Sequence, residues 1–266
     1  MEKAGDLRAA LLGHLKELQL PTIRSCFEEV ADEARKESLS HERYLLALAM
    51  REVDLRRARR IERLLRESRL PLEKSLAALD RKRLAGKVNQ QLATLLEGSF
   101  LERRENVLAF GNPGSGKTHL LCALAQELIV RRGRPMFFTT CALLVQDLLI
   151  AKRDLKLARM IKRLSRFDGL VIDDIGYVHQ GREEMDVLFT LLAERYERGS
   201  VLLTSNLPFS QWENIFKDAM TTAAAIDRLV HHSVIVELNL PSYRVEQARK
   251  TKKGTTKADA KSESMA

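Results

Sequence analysis

Eight consecutive residues, Gly111, Asn112, Pro113, Gly114, Ser115, Gly116, Lys117 and Thr118, carry the strongest chemical signal in the chain. Glycines at this spacing let a backbone curl so that successive N–H groups point at one anion. Lys117 would reach the β- and γ-phosphates of a nucleotide, and the Thr118 hydroxyl would be an oxygen ligand for Mg²⁺. The flanks agree with this reading. Asn106 to Phe110 is a short apolar strand, and His119 to Leu128 has apolar residues at helical spacing. Strand, glycine-rich loop and helix form the setting of a phosphate-binding P-loop, with the positive end of the helix beside the anion. A chance glycine-rich turn with a surface lysine would not need either flank.

Further along, Leu170-Val171-Ile172 runs into Asp173 and Asp174. Acids at the carboxyl end of a buried strand, downstream of a P-loop, sit where such folds hold Mg²⁺. Asp173 is expected at the metal with Thr118, and Asp174 is placed to polarise an attacking water. A third apolar strand, Val201 to Thr204, ends in Ser205 and Asn206. Asn206 would hydrogen-bond a water or the γ-phosphate.

Two basic stretches stand apart from these motifs. Arg56, Arg59, Arg60 and Arg63 make one stripe of a long helix whose apolar stripe is Leu55, Ala58, Ile61 and Leu65. Lys152, Lys156, Arg159 and Arg163 are spaced to share a face of one further helix, with Arg153 and Lys162 nearby. Both faces suit a polyanion, and the alternative is a solvated surface, partly neutralised in the first case by Glu52, Glu62 and Glu67. A formal charge of +9 and an isoelectric point near 9.6 point the same way, to nucleic acid first.

The elements that must position these residues fall into two patterns. Residues 1–88 read as a small all-helical domain, with helices on either side of Pro21 and a long one entered at Ser40-His41-Glu42. Residues 89–248 alternate strands and helices, an α/β pattern with a parallel sheet covered on both faces. Residues 249–266 are basic and lack apolar content, so disorder is expected. No apolar run is long enough to cross a membrane, and no secretory h-region opens the chain, so a cytoplasmic location without a membrane partner is expected. Cys26, Cys122 and Cys141 are scattered and read as buried thiols in a reducing compartment. His231 and His232 have no third ligand in view along the sequence.

Taken in order, Gly111 to Leu120, Leu170 to Tyr177, Leu203-Thr204-Ser205-Asn206 and Ile226-Asp227-Arg228-Leu229 resemble the AAA+ ATPases of the initiator and helicase-loader group. Within that group the chain is most similar to the IstB-type ATP-binding helpers of bacterial insertion sequences, over nearly its whole length except the tail. The resemblance implies ATP and Mg²⁺ as ligands, the Gly111 to His119 segment as the nucleotide cradle, and Asn206 as sensor 1. It implies Arg228 as an arginine finger serving a neighbouring subunit, hence a homo-oligomer. Arg244 matches a sensor 2 arginine, although too little chain follows it to form the usual helical lid. The basic stretch at 152–163 matches an extra helix that touches DNA in the initiator group. Asp174 departs from the family, where most members carry glutamate, and the shorter side chain implies a slow, switch-like ATPase. The implied partners are duplex DNA and a cognate transposase. The alternatives are a helicase loader acting on single-stranded DNA and a general P-loop signalling ATPase. Scarce aromatic residues favour duplex.

Overall fold

The computed structural model describes residues 4–176, 181–213 and 219–243. Arg244 and the basic tail lie outside the described residues, as does Tyr177. The chain divides into two compact units, Met1–Arg63 and Leu64–Ala266. Residues 64–88, grouped with the helical N-terminus by the sequence, fall in the second unit.

The first unit holds α1 (Ala4–Glu17), α2 (Pro21–Lys36) and most of α3 (His41–Ser68). Leu20 stands at the N-cap of α2 and has no side chain to offer the free N–H groups. Glu52 of α3 takes that role, accepting from Thr22 N at 2.8 Å and Ile23 N at 3.2 Å. Burial works against the charge of Glu52, but Arg56 at 2.7 Å and the two N–H groups outweigh it and hold its pKa below the usual carboxylate range. Arg56 also donates to Gln19 O in the turn between α1 and α2. Val30, Ala34 and Leu48 are buried in this unit.

The second unit is a five-stranded parallel sheet in the order β2-β3-β4-β1-β5. The strands are β1 (Asn106–Gly111), β2 (Met136–Thr140), β3 (Gly169–Asp173), β4 (Ser200–Ser205) and β5 (Ser233–Leu238). The helices are α4 (Gly86–Leu96), α5 (Ser99–Glu102), α6 (Lys117–Arg132), α7 (Cys141–Arg153), α8 (Leu157–Leu164), α9 (Arg182–Arg195) and α10 (Ala219–Val230). The middles of the central strands are continuous apolar runs because both faces are covered. Leu108, Leu170, Ile172 and Leu203 join a core with α7, α9, α10 and the fully buried Trp212. The intervening Val107, Ala109, Val171 and Leu202 are buried too, and α6 packs along β1, β2, β3 and β4. Each such leucine contributes about 1.5–3 kcal/mol on burial. Among the described residues, no helix is long and apolar enough to cross a membrane.

One buried charge fixes the basic end of the sheet's far side. Arg195, 3% exposed, donates from Nη1 to Leu164 O at 3.2 Å. Its Nη2 reaches Phe167 O at 3.1 Å, Asp168 O at 3.1 Å and Ser200 O at 3.0 Å. Burial pushes its pKa down to about 10, against the attraction of Asp168. The guanidinium thus ties the end of α8 to the starts of β3 and β4. Arg195→Met would remove the donor that these four carbonyls share, leaving Asp168 O and Leu164 O only their backbone donors, Ser200 N and Phe167 N. A loss of about 3–5 kcal/mol is expected, as for breaking other buried charged networks. Thermal unfolding followed by circular dichroism should show a midpoint lowered by about 10 °C.

Candidate nucleotide site and basic surfaces

The loop after β1 turns through left-handed backbone that side chains resist. Gly114 has φ +80° and lies against Ser242, so an added Cβ would clash there. Gly116 has φ +100° with open space on its Cβ side, so the need for glycine is conformational alone. The loop closes by Ser115 N to Asn112 O at 3.1 Å, and α6 starts at once with Leu120 N to Gly116 O at 2.9 Å. Lys117 is folded back on the loop, donating to Gly111 O at 2.8 Å and Asn112 O at 3.1 Å. Burial pulls its pKa below the ordinary lysine value, opposed by the charges of Asp174 and Asp173. The Ser115 hydroxyl is buried without a partner. Asn112 and Pro113 are exposed at the rim of the loop.

The acidic side of the site comes from β3 and β4. Thr118 Oγ1 donates to Asp173 Oδ1 at 2.8 Å, and Thr204 Oγ1 donates to the same oxygen at 2.7 Å. Asp174 has φ +66° and its N–H donates to Thr204 Oγ1 at 2.8 Å. Asn206 Oδ1 is buried and has no hydrogen-bond partner, an acceptor available to a water. Threonine 204 was not singled out by the sequence. It is found only through the strand order, which inserts β4 between β1 and β3.

A cavity of about 220 Å³ opens beside the loop. Gly114 to His119 form its floor, and its wall is the connector between α3 and α4, with Leu79, Arg83 and Leu84. Leu238, Leu240 and Tyr243 close it from the other side. This wall is held by named bonds. The His119 Nε2 atom lies 2.9 Å from Ser75 O, and Gln126 Nε2 donates to Pro71 O and Lys74 O at 3.0 and 3.2 Å. Tyr243 N donates to Gly114 O at 3.0 Å, and the Arg83 guanidinium sits 5.0 Å over the Tyr243 ring. The leucines suit the flat apolar face of a base, next to a loop suited to its phosphates.

Arg228 lies on α10, with its guanidinium 4.6 Å over the Phe189 ring and Nη1 3.4 Å from Ala224 O. It does not line the cavity of its own chain. Glu197, His231 and His232 come together at the ends of α9 and α10, their ligand atoms within 4.8 Å of one another. The third ligand that was not in view along the sequence, Glu197, thus stands beside the two histidines, and all three are exposed.

One of the two basic faces needs a correction. The stretch at 152–163 is not one helix. Lys152 and Arg153 end α7, the chain turns at Asp154-Leu155-Lys156, and Arg159, Lys162 and Arg163 lie on α8. The turn is a Schellman closure, with Leu155 N to Lys152 O at 3.1 Å and Lys156 N to Ala151 O at 2.7 Å. A shared helical face cannot run across it. Lys156, Arg159, Lys162 and Arg163 instead line an open groove of about 900 Å³, to which Arg69 and Arg166 also contribute, while Lys152 and Arg153 lie outside its lining. On the other face, Arg56 is engaged within its own unit by Glu52 and Gln19, with its side chain 53% exposed. Arg59, Arg60 and Arg63 are exposed on α3.

Comparisons with known proteins agree over most of the chain. The family model described as IstB-like ATP binding protein matches residues 13–251. An insertion sequence ATP-binding protein of Sinorhizobium fredii is 42% identical over 241 residues, covering 90% of this chain and 80% of that protein. The IS21 ATP-binding protein of Pseudomonas aeruginosa is 36% identical over 239 residues, covering 89% of each. Among solved structures, the DnaI structure aligns with TM-score 0.52 at 21% identity, over 62% of this chain and 90% of that one. Domain III of the Thermotoga maritima initiator DnaA aligns with TM-score 0.53 at 17% identity, over 65% of this chain and 69% of that one. These two likenesses speak to the fold, an AAA+ P-loop architecture. The family match and the relatives, taken with the glycine loop built at the end of β1, make the chain a member of the IstB-like ATP-binding family.

Proposed function

We propose that this chain is a cytoplasmic ATPase that helps transposition: with ATP it assembles on duplex DNA, deforms it and engages a partner transposase, and hydrolysis releases the assembly. The observation that carries this reading is the hydrogen-bonded run Thr118, Asp173 and Thr204, at 2.8 and 2.7 Å, set beside the glycine loop. Insertion-sequence relatives support the biological setting.

The loop N–H groups and the N-terminus of α6 receive the phosphates. Lys117 exchanges its two loop carbonyls for β- and γ-phosphate oxygens. Thr118 and Asp173 are an all-oxygen pair already in contact, a donor set that fits a hard cation such as Mg²⁺. When bound, that ion offsets the charge of the transferred phosphoryl group. The free Asn206 Oδ1 accepts a hydrogen bond from the attacking water, and Asp174 polarises it. Arg228 of one subunit completes the site of the next. The first unit presents Arg59, Arg60 and Arg63 to DNA or a partner, and the groove beside α8 takes the DNA backbone.

The test is binding of fluorescent duplex and single-stranded oligonucleotides with ATP and with ADP, alongside particle size. ATP-dependent growth of particles on duplex is the expected result. Tighter binding to single strands without growth would sink the reading in favour of helicase loading. Arg163→Ala should weaken binding to all duplex sequences alike and reduce the slope of log K against log salt by about 0.9.

A further inference from the structure

Leu155 combines two features that folding disfavours. Its backbone is left-handed, φ +56°, and its side chain is 94% exposed. It occupies the position after α7 where a Schellman closure most often places glycine. Among the described residues, seven residues other than glycine have positive φ, and Leu155 is the apolar one. No other large apolar side chain among them is as exposed. Glycine would satisfy the turn without strain, and a polar residue would satisfy the solvent. Nothing inside the fold accounts for leucine.

The surroundings are cationic. Lys156 follows it and Asp154 precedes it, with Arg153 one residue further back, and the adjoining groove carries Arg69, Arg159, Lys162, Arg163 and Arg166 against the carboxylates Asp147 and Asp154. Asp154 is itself paired with Lys156 at 3.1 Å. A polyanion held by these cations would bring its backbone to the apex where Leu155 stands. The apex is short and closed by two backbone hydrogen bonds, so it can deliver a side chain without first ordering a loop. Apolar wedges of this size part base steps and kink duplex DNA when flanking cations hold the phosphates. We infer that Leu155 is such a wedge, inserted between base steps of duplex DNA whose phosphates lie in the basic groove. This rests on the duplex-binding reading above, and it assigns the deformation of DNA to one residue.

The experiment uses the full chain with ATP and Mg²⁺ and a duplex carrying 2-aminopurine and a dye at each end. The wild type should bind, raise 2-aminopurine fluorescence by unstacking and shorten the end-to-end distance. Leu155→Gly should bind within about threefold of the wild type, because phosphate contacts supply the affinity. It should lose both the unstacking and the bending signals. Its melting temperature should rise by about 2 °C, because the strain is gone. Leu155→Met should keep most of both signals. A glycine variant that unstacks and bends DNA like the wild type would overturn the inference. So would one that loses assembly in the absence of DNA, which would assign Leu155 to a subunit interface. If the wild type itself fails to bind duplex, the duplex-binding reading falls, a result distinct from either.

Discussion

Replacing Arg228 by alanine is expected to lower the ATP hydrolysis rate of the assembled protein by about 10³- to 10⁵-fold, the range for loss of an arginine finger. The reason is placement. The guanidinium rests on Phe189 of its own chain, away from the cavity lined by its own glycine loop. On the proposed reading, its charge serves hydrolysis in a neighbouring subunit. A half-exposed cation–π contact is worth about 0.5–1 kcal/mol, too little to hold the side chain back from a phosphate. Steady-state phosphate release on duplex DNA checks the rate. Mixing supplies the sharper check. Subunits carrying Arg228→Ala keep an intact loop, and subunits carrying Lys117→Ala keep an intact finger. A mixture should recover part of the activity that each lacks alone, since one subunit's arginine completes the other's site. Hydrolysis by Arg228→Ala at the wild-type rate would remove the finger from the mechanism.

The second large effect is expected at Lys117. Lys117→Ala should reduce hydrolysis by at least about 100-fold, as loss of one preorganised donor does elsewhere. It should also erase the stabilisation conferred by ATP. For the wild type, ATP at a hundred times its Kd should add about 2.7 kcal/mol, read as a shift in thermal midpoint. The variant should show almost none of that shift. Its fold should survive, because Lys117 caps only Gly111 O and Asn112 O, at a loop whose Asn112 is exposed. Burial and the nearby acids pull its pKa in opposite directions, with burial ahead. Its charge is therefore held at some cost, which phosphate oxygens would relieve. An equal ATP-induced shift in Lys117→Ala would place the nucleotide elsewhere.

Much of this protein was legible in its residue order, because local chemistry decided it. Glycines at 111, 114 and 116 permit a backbone that other residues resist, so the loop is written in the sequence itself. Leu170-Val171-Ile172 reads as a buried strand whose far end must leave the core, and Asp173 follows there. Pro21 marks the first turn of α2, where its missing N–H costs nothing. Tertiary structure decided what depends on neighbours far apart in sequence. Thr204 became a partner of Asp173 because β4 lies between β1 and β3, an order no local pattern encodes. The connector around Leu79 to Leu84 became a cavity wall through bonds to His119 and Gln126 of α6. Arg56 became the counter-charge of a buried glutamate while its side chain stayed half-exposed. The basic run at 152–163 was split because Leu155 took a left-handed backbone, a choice that spacing favoured for neither leucine nor a turn. Periodicity reports which face of an element is apolar. Where a charged side chain ends is settled by the desolvated groups that the fold brings beside it.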